Sequence, residues 1–169
     1  MQRKRVGQTH AGGQPVSPLE PLKPEVMHRQ LAGLAGDLRQ LTRPFAQQIQ
    51  TVLSPAEWTA VRNVYLTGDG DSYHASCAFE MAFETLADVS CRPMSAQRFV
   101  DYGAQWMRQA TPHQSLVLAT SASGGTPRVV QAIERAKQHG VLSVAVTGTP
   151  NSPVARAADR SIVVELPHK

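Results

Sequence analysis

The sequence predicts an α/β fold, a three-layer doubly wound sandwich with a five-stranded parallel sheet preceded by N-terminal helices. Two observations lead to this fold class. From residue 60 onward, short apolar segments typical of strands alternate with segments of helical periodicity. One of these segments, residues 115–120, carries no charge, which is typical of a strand buried on both faces of a parallel sheet. Such alternation folds through right-handed crossovers.

Composition and charge limit the possible partners. The chain has 169 residues, of which 41% are hydrophobic and 18% charged, a globular composition. The net charge of +4 comes largely from Arg3, Lys4 and Arg5, so the remainder is nearly neutral and a large nucleic-acid face is not expected. A run of 18 apolar residues and the apolar core of a signal peptide are both missing, which predicts no membrane contact.

The two cysteines indicate neither a disulfide framework nor a metal site. Cys77 and Cys91 lack CxxC partners and metal-ligand spacing. We therefore expect both to behave as small hydrophobic residues in a reduced, cytoplasmic setting, with no metal and no cofactor.

The N-terminal third divides into a tail and a helical segment. Residues 1–23 are basic and rich in proline and glycine, without apolar periodicity, and we predict a disordered tail. Residues 24–54 show a leucine seam typical of an amphipathic helix. Pro44 is expected to break or kink this helix, and a second helix would then run to the turn at Ser54-Pro55. The predicted domain spans residues 24–169, with its sandwich at 60–167.

The sandwich is predicted to contain five strands and four helices. The strands are expected at residues 61–67, 91–95, 115–120, 141–147 and 160–166, and the helices at 73–88, 97–109, 127–139 and 153–158. The helix at 73–88 is apolar around most of its circumference (Cys77, Phe79, Met81, Phe83 and Leu86). It should therefore be covered by the N-terminal helices or by a second subunit, and a homodimer is our prediction.

Two polar loops follow the first and third strands. In the flavodoxin-like order 2-1-3-4-5 these strands are neighbours, so the first loop (residues 68–72) and the second loop (residues 121–126) should meet at one crevice. Either loop alone is typical of α/β connections in general, but the pair favours a binding site. Glycines and hydroxyls without a lysine or GxxxxGK[ST] suit a phosphomonoester better than a nucleoside triphosphate. Asp71 is expected to cap the following helix.

The loops also resemble a known family. Gly68-Asp69-Gly70-Asp71-Ser72-Tyr73 is similar to the Gly-x-Gly-[Thr/Ser/Asp]-Ser-Tyr segment of SIS (sugar isomerase) domains. Ser121-Ala122-Ser123-Gly124-Gly125-Thr126 is similar to their Ser-x-Ser-Gly-x-Thr loop. The nearest subgroup resembles the isomerase half of glucosamine–fructose-6-phosphate aminotransferase and related sugar-phosphate isomerases and deaminases. The resemblance implies that the phosphate of a sugar is bound by Gly70, Ser72, Ser121, Ser123, Gly124 and Thr126.

The resemblance leaves the catalytic role open. Aminotransferases of this kind usually carry Gln and Glu where this chain has Ala122 and Gly125, and their catalytic groups belong to a second SIS repeat. The helix after the first loop also lacks the His and Glu of phosphoheptose isomerases. His74 is the one weak catalytic candidate. We therefore expect phosphosugar binding as part of an isomerase or deaminase, with the chain as one half of a two-repeat protein, or alternatively a non-catalytic sensor. A flavodoxin-like redox protein ranks last, since Tyr73 is its only candidate stacking aromatic.

Overall fold

The computed structural model describes residues 24–103, 107 and 112–165. The predicted N-terminal tail lies outside the described residues, as does most of the second half of the helix expected at 97–109. The chain divides into a unit that ends at Leu34 and a larger unit, Ala35–Lys169, which contains the sheet.

Helices and strands alternate as the sequence predicts. The helices are α1 (Pro24–Val52), α2 (Pro55–Ala60), α3 (Asp71–Ala87), α4 (Ala96–Arg98), α5 (Pro127–Gln138) and α6 (Pro153–Ala157). A π-helical turn (Phe99–Gly103) continues α4, and a 3₁₀ turn (Pro112–Gln114) precedes the third strand. The strands are β1 (Asn63–Gly68), β2 (Ser90–Ser95), β3 (Ser115–Ser121), β4 (Leu142–Thr147) and β5 (Arg160–Val163).

The five strands form one parallel sheet in the order β2-β1-β3-β4-β5, which confirms the predicted fold class and strand order. Because all strands run the same way, their carboxyl ends lie along one edge of the sheet, and the first and second loops leave from adjacent strands. We call this the carboxyl edge, and the opposite side, where the strands begin, the amino edge.

Apolar residues cover both faces of the sheet, as a doubly wound fold requires. On one face a buried cluster joins strand residues such as Tyr65 and Val117 to Phe99 and to Ile133 of α5. On the other face Leu66 and Leu116 pack with Leu53, and Phe83 of α3 lies against them. Helices therefore hold the sheet from both sides and fix the positions of the loops at the carboxyl edge.

The expected break at Pro44 is wrong. Helix α1 is continuous from Pro24 to Val52, with Pro44 inside it. Proline removes one backbone donor and disfavours the helix locally, but packing around it can outweigh that cost. Phe45 and Val52 in the second half of α1 pack against the buried cluster around Leu53.

Both outer strands of the sheet are protected against further pairing. Gln48 binds the backbone of strand β5. Its side-chain amide donates to Val163 O and accepts from Val163 N, each at 2.8 Å. Strand β2 carries Pro93, which lacks a backbone donor and is confined to edge strands or bulges. These features limit edge-to-edge association of the sheet.

Helix α3 exposes much of its apolar surface. Phe79 is 59% exposed, Met81 73% and Leu86 87%, whereas Phe83 packs on the core. Of the two cysteines, Cys91 is buried and Cys77 lies on the exposed side of α3. Within the described residues, no helix is both long and apolar enough to cross a membrane.

Candidate functional site

The first and second loops start from paired strand residues. Gly68, the last residue of β1, pairs with Thr120 of β3. A Cβ atom on Gly68 would lie 2.9 Å from the carbonyl oxygen of Thr120 and 2.9 Å from Ser72 Cβ, so only glycine allows this approach. The predicted convergence of the two loops at the carboxyl edge is therefore seen in the structure.

Hydroxyl groups organise the second loop. Ser121, only 3% exposed, accepts a hydrogen bond from Gly124 N at 3.2 Å through its Oγ, which also lies 3.0 Å from Thr126 Oγ1. Ser123 is exposed and its Oγ accepts from Gly125 N at 3.3 Å. The loop thus folds around three hydroxyls, which are the ones that the sequence singled out.

This hydroxyl arrangement leaves donors available to a ligand. Each hydroxyl can donate one hydrogen bond. Ser121 and Thr126 share a single bond between them, so one of their two protons remains uncommitted. Ser123 acts as an acceptor in its bond with Gly125 N, so its proton also remains available. The second loop can therefore offer two O–H donors to an anion.

Gly124 fixes the loop by close packing. Its φ of +68° lies in the left-handed region that favours glycine, and a Cβ atom there would lie 2.2 Å from Ser152 Oγ and 2.7 Å from Thr147 Oγ1. Its carbonyl accepts from Val154 N at 3.0 Å. The sequence had not assigned Thr147 or Ser152 to the site, although Ser152 before Pro153 is a typical start of a helix and does cap α6.

Helix amino termini adjoin both loops. Thr126 is the N-cap of α5 but makes no side-chain bond to its first turn, so its hydroxyl stays with Ser121. The positive end of this 12-residue helix favours a negative group in front of it. Helix α3 starts after Gly70, whose φ of +52° again favours glycine.

The prediction that Asp71 caps α3 is wrong. Gly70 is the N-cap, no side chain caps this terminus, and Asp71 is the exposed first residue of the helix. Its negative charge still suits the first turn of a helix. The carboxylate that does bond at this edge is Asp69, which accepts from Ala96 N at 3.2 Å and joins the first loop to the start of α4. Sequence reasoning had given Asp69 no role.

The described acid–base candidates lie around the first loop and along α3. His74 is exposed in the first turn of α3, with its ring centroid 5.6 Å from that of Tyr73. Glu84 lies at the other end of α3, where its carboxylate accepts from Cys91 N at 3.5 Å. Burial, together with the charges of Glu80 and Glu84, raises the pKa of the Cys91 thiol to about 11. Glu84 is thus occupied in supporting β2.

Among the described residues, an unpaired hydroxyl and the lack of a metal-binding cluster further describe this site. Thr67, the residue before Gly68, is fully buried, and its Oγ1 has no hydrogen-bond partner within the described part of the chain. The same part of the chain contains no group of three His, Cys, Asp or Glu residues that could hold a metal ion. The expectation that neither metal nor cofactor is needed stays a prediction.

Sequence and structure comparisons agree on the relatives of this chain. The sequence pattern described as the SIS domain matches residues 59–167. Glutamine–fructose-6-phosphate aminotransferase (isomerizing) from Pseudomonas aeruginosa is 28% identical over 144 residues, which are 85% of this chain and 22% of that protein. The chain spans about a fifth of the length of the curated relatives first matched.

Solved structures share the fold at low sequence identity. The C-terminal domain of glucosamine-fructose-6-phosphate aminotransferase from Francisella tularensis gives a TM-score of 0.57 at 19% identity, over 78% of this chain and 39% of that one. The NanR protein from Vibrio vulnificus, complexed with ManNAc-6P, gives 0.60 at 14% identity, over 82% and 51%. Since the SIS pattern also covers well over half of the sequence, this chain belongs to the SIS domain family.

Proposed function

We propose that this chain binds a phosphorylated sugar, with the phosphate held at the carboxyl edge. The observation that carries the proposal is the pair of uncommitted O–H donors in the second loop, in front of the amino terminus of α5. Ser72, in the first turn of α3, would add a further hydroxyl. The proposed phosphate-binding residues are Gly70, Ser72, Ser121, Ser123, Gly124 and Thr126.

The chemistry of the site suits a monoester on a small polar molecule. Hydroxyls and helix termini can bind a dianion without a cationic side chain, and neither loop contains a lysine or arginine. The family membership supports a sugar as the rest of the ligand, because NanR is complexed with ManNAc-6P and the aminotransferase is named for fructose 6-phosphate.

Calorimetry with glucosamine 6-phosphate and fructose 6-phosphate tests the proposal. Ser121→Ala combined with Ser123→Ala should weaken binding by about 2–3 kcal/mol, since each serine contributes roughly one hydrogen bond to a charged group. Ser123→Ala alone should weaken binding less than the double variant does, because this exposed serine supports the loop less than buried Ser121 does. Ser161→Ala, an exposed serine on β5, is the matched control and should change nothing. Unchanged affinity in the double variant would refute the phosphate site.

A catalytic role is a further part of the proposal. We propose that the chain is the phosphate-binding half of a sugar-phosphate isomerase or deaminase, with residues 24–169 as one SIS repeat behind an N-terminal tail. The alternative is a non-catalytic sensor. We expect this chain alone to be a poor catalyst, because its one weak candidate base, His74, is exposed to solvent. Purified chain that interconverts ketose and aldose phosphates rapidly would contradict this, and loss of that activity in His74→Ala would identify His74 as the base.

We also propose that the chain forms a homodimer in the reduced setting of the cytoplasm. The exposed side chains of Phe79 and Leu86, seven residues apart on one face of α3, support this pairing, because an exposed apolar face is typical of an interaction surface. Light scattering should give twice the 18.3 kDa mass of the chain at micromolar concentration. The Phe79→Lys variant should give the mass of a single chain. A monomeric wild-type chain would refute the dimer and leave the phosphate site untouched.

A further inference from the structure

A cleft lies at the amino edge of the sheet, opposite the two loops. Its volume is about 660 Å³, within the range of small-molecule sites. The cleft opens where β3 and β4 begin and where α2 leads into β1. Its walls are mainly apolar, with Ala60 and Val61 on one side and Val141 and Leu142 on the other.

Ser115 is a buried polar group in this cleft without a partner. It is the first residue of β3, lines the cleft and is 2% exposed. Within the described ranges, Ser115 Oγ has no hydrogen-bond partner. Ser143 on the adjacent strand β4 differs, since its Oγ donates to Asp159 Oδ2 at 2.7 Å and accepts from Asp159 N at 3.1 Å. A buried hydroxyl is costly when left unpaired. Because Ser115 also lines the cleft, a ligand bound there is placed to supply that partner.

The two carboxylates and the lysine that border the cleft have partners within the protein. Asp159 accepts from Ser143 and pairs with Lys137 Nζ at 3.5 Å. Glu57 accepts from Ser54 N at 2.7 Å and lies 3.8 Å from Arg160. A charged ligand would have to compete with these pairs while its own charge faced apolar walls. The cleft therefore favours an uncharged ligand.

We propose that the amino-edge cleft binds a small uncharged molecule with an apolar body and one hydrogen-bonding group. The body would contact the apolar walls formed by Ala60, Val61, Val141 and Leu142, and the polar group would pair with Ser115 Oγ. A simple aromatic alcohol has this chemistry. The site is separate from the phosphate site, because the two lie at opposite edges of the sheet, and it does not depend on the function proposed there.

Titration of the isotope-labelled full chain with benzyl alcohol, followed by NMR, tests the proposal. The amide signals of Ser115, Val141 and Leu142 should shift in a saturable way, with a dissociation constant of about 1 mM, as expected for a ligand of this size. Toluene, which lacks the hydroxyl, should bind about fivefold more weakly. Ser115→Ala should weaken benzyl alcohol about fivefold, the value of one net hydrogen bond, and leave toluene unchanged.

Two controls separate this site from the phosphate site. Ser121→Ala should leave benzyl alcohol binding unchanged, and Ser115→Ala should leave the affinity for glucosamine 6-phosphate unchanged. Shifts that do not saturate, shifts confined to the second loop, or equal loss of toluene and benzyl alcohol in Ser115→Ala would each overturn the proposal. Removing the unpaired hydroxyl does not disturb a hydrogen bond of the described chain, so the variant should fold.

Discussion

The two edges of the sheet use polar groups in opposite ways. At the carboxyl edge, the hydroxyls of the second loop bond to backbone amides and to one another, yet leave two protons uncommitted. At the amino edge, the carboxylates of Asp159 and Glu57 already have partners in Ser143, Lys137, Ser54 and Arg160. The charges at the amino edge hold the fold together, whereas the hydroxyls at the carboxyl edge can serve a ligand.

This difference is the physical basis for proposing an anion site that contains no lysine. Neutral hydroxyls and backbone amides can be satisfied within the protein and still donate outward. A carboxylate that is satisfied by a serine and a lysine has little left to offer. Binding capacity therefore depends on uncommitted donors, and the number of charged residues at an edge is a poor guide to it.

The largest effect is expected when the second loop itself is disturbed. Gly124→Ala would bring a Cβ atom within 2.2 Å of Ser152 Oγ at a φ of +68°. Overpacking and left-handed strain together should lower the free energy of unfolding by about 3 kcal/mol. Denaturant unfolding measures the change, and phosphosugar affinity should fall with it.

Gly125→Ala is the matched control for this substitution. A Cβ atom at Gly125 would meet Ser123 Oγ only at 3.9 Å, an ordinary contact. The variant should therefore unfold within about 0.5 kcal/mol of the wild type, as surface substitutions usually do. Equal destabilisation by both substitutions would mean that the loop is not held by the packing of Gly124 against Ser152.

A smaller loss of stability is expected from Asp159→Ala at the amino edge. The change would leave the backbone N–H and the hydroxyl of fully buried Ser143 without their acceptor. Stranded groups of this kind cost about 2 kcal/mol, measurable by denaturant unfolding at neutral pH. The affinity for glucosamine 6-phosphate should stay unchanged, and a parallel loss of binding would contradict the separation of the two edges.

The same contact predicts a pH dependence. Partial burial raises the pKa of Asp159, but the hydrogen bonds from Ser143 and the charge of Lys137 outweigh it and hold the pKa below its ordinary value. The stabilisation is then fully present above the unfolded-state pKa, about 4, and is lost as the pH falls through the lower folded-state pKa. Asp159→Asn should remove this part of the acid-induced loss of stability. If the free energy of unfolding fell equally with decreasing pH in wild type and variant, Asp159 would not be a source of this pH dependence.

The sequence predicted the sheet better than its surroundings. Strand positions and order followed from apolar runs and from the alternation with helices, which are properties that a sequence displays directly. The continuity of α1 through Pro44 was missed because tertiary packing of Phe45 and Val52 is invisible to local preferences. For a related reason, the sequence of an apolar helix does not reveal which side the chain leaves uncovered, and in α3 that side holds Cys77.

The site followed the same division. The hydroxyls of the second loop were proposed as phosphate ligands from their density in the sequence and from the family pattern, and their binding role stays a prediction. The roles of Asp69 and Ser152 depend on contacts with residues that are distant in the sequence. Asp69 accepts from Ala96 N, and Ser152 packs against Gly124. The supposed cap at Asp71 shows the limit of residue preference, because Gly70 takes the N-cap position through its positive φ.

The smallest effect is expected from His74→Ala, which tests how far the binding site extends along α3. The backbone N–H of His74 donates to Gly70 O at 3.1 Å, a bond that survives the substitution. Its side chain is exposed beside Tyr73. The hydroxyls proposed to bind the phosphate belong to Ser72 and to the second loop. Calorimetry should therefore find the affinity for glucosamine 6-phosphate changed by less than about twofold, below the value of one net hydrogen bond. A tenfold loss would mean that the imidazole reaches the ligand, and that the site extends along α3 beyond Ser72 to His74.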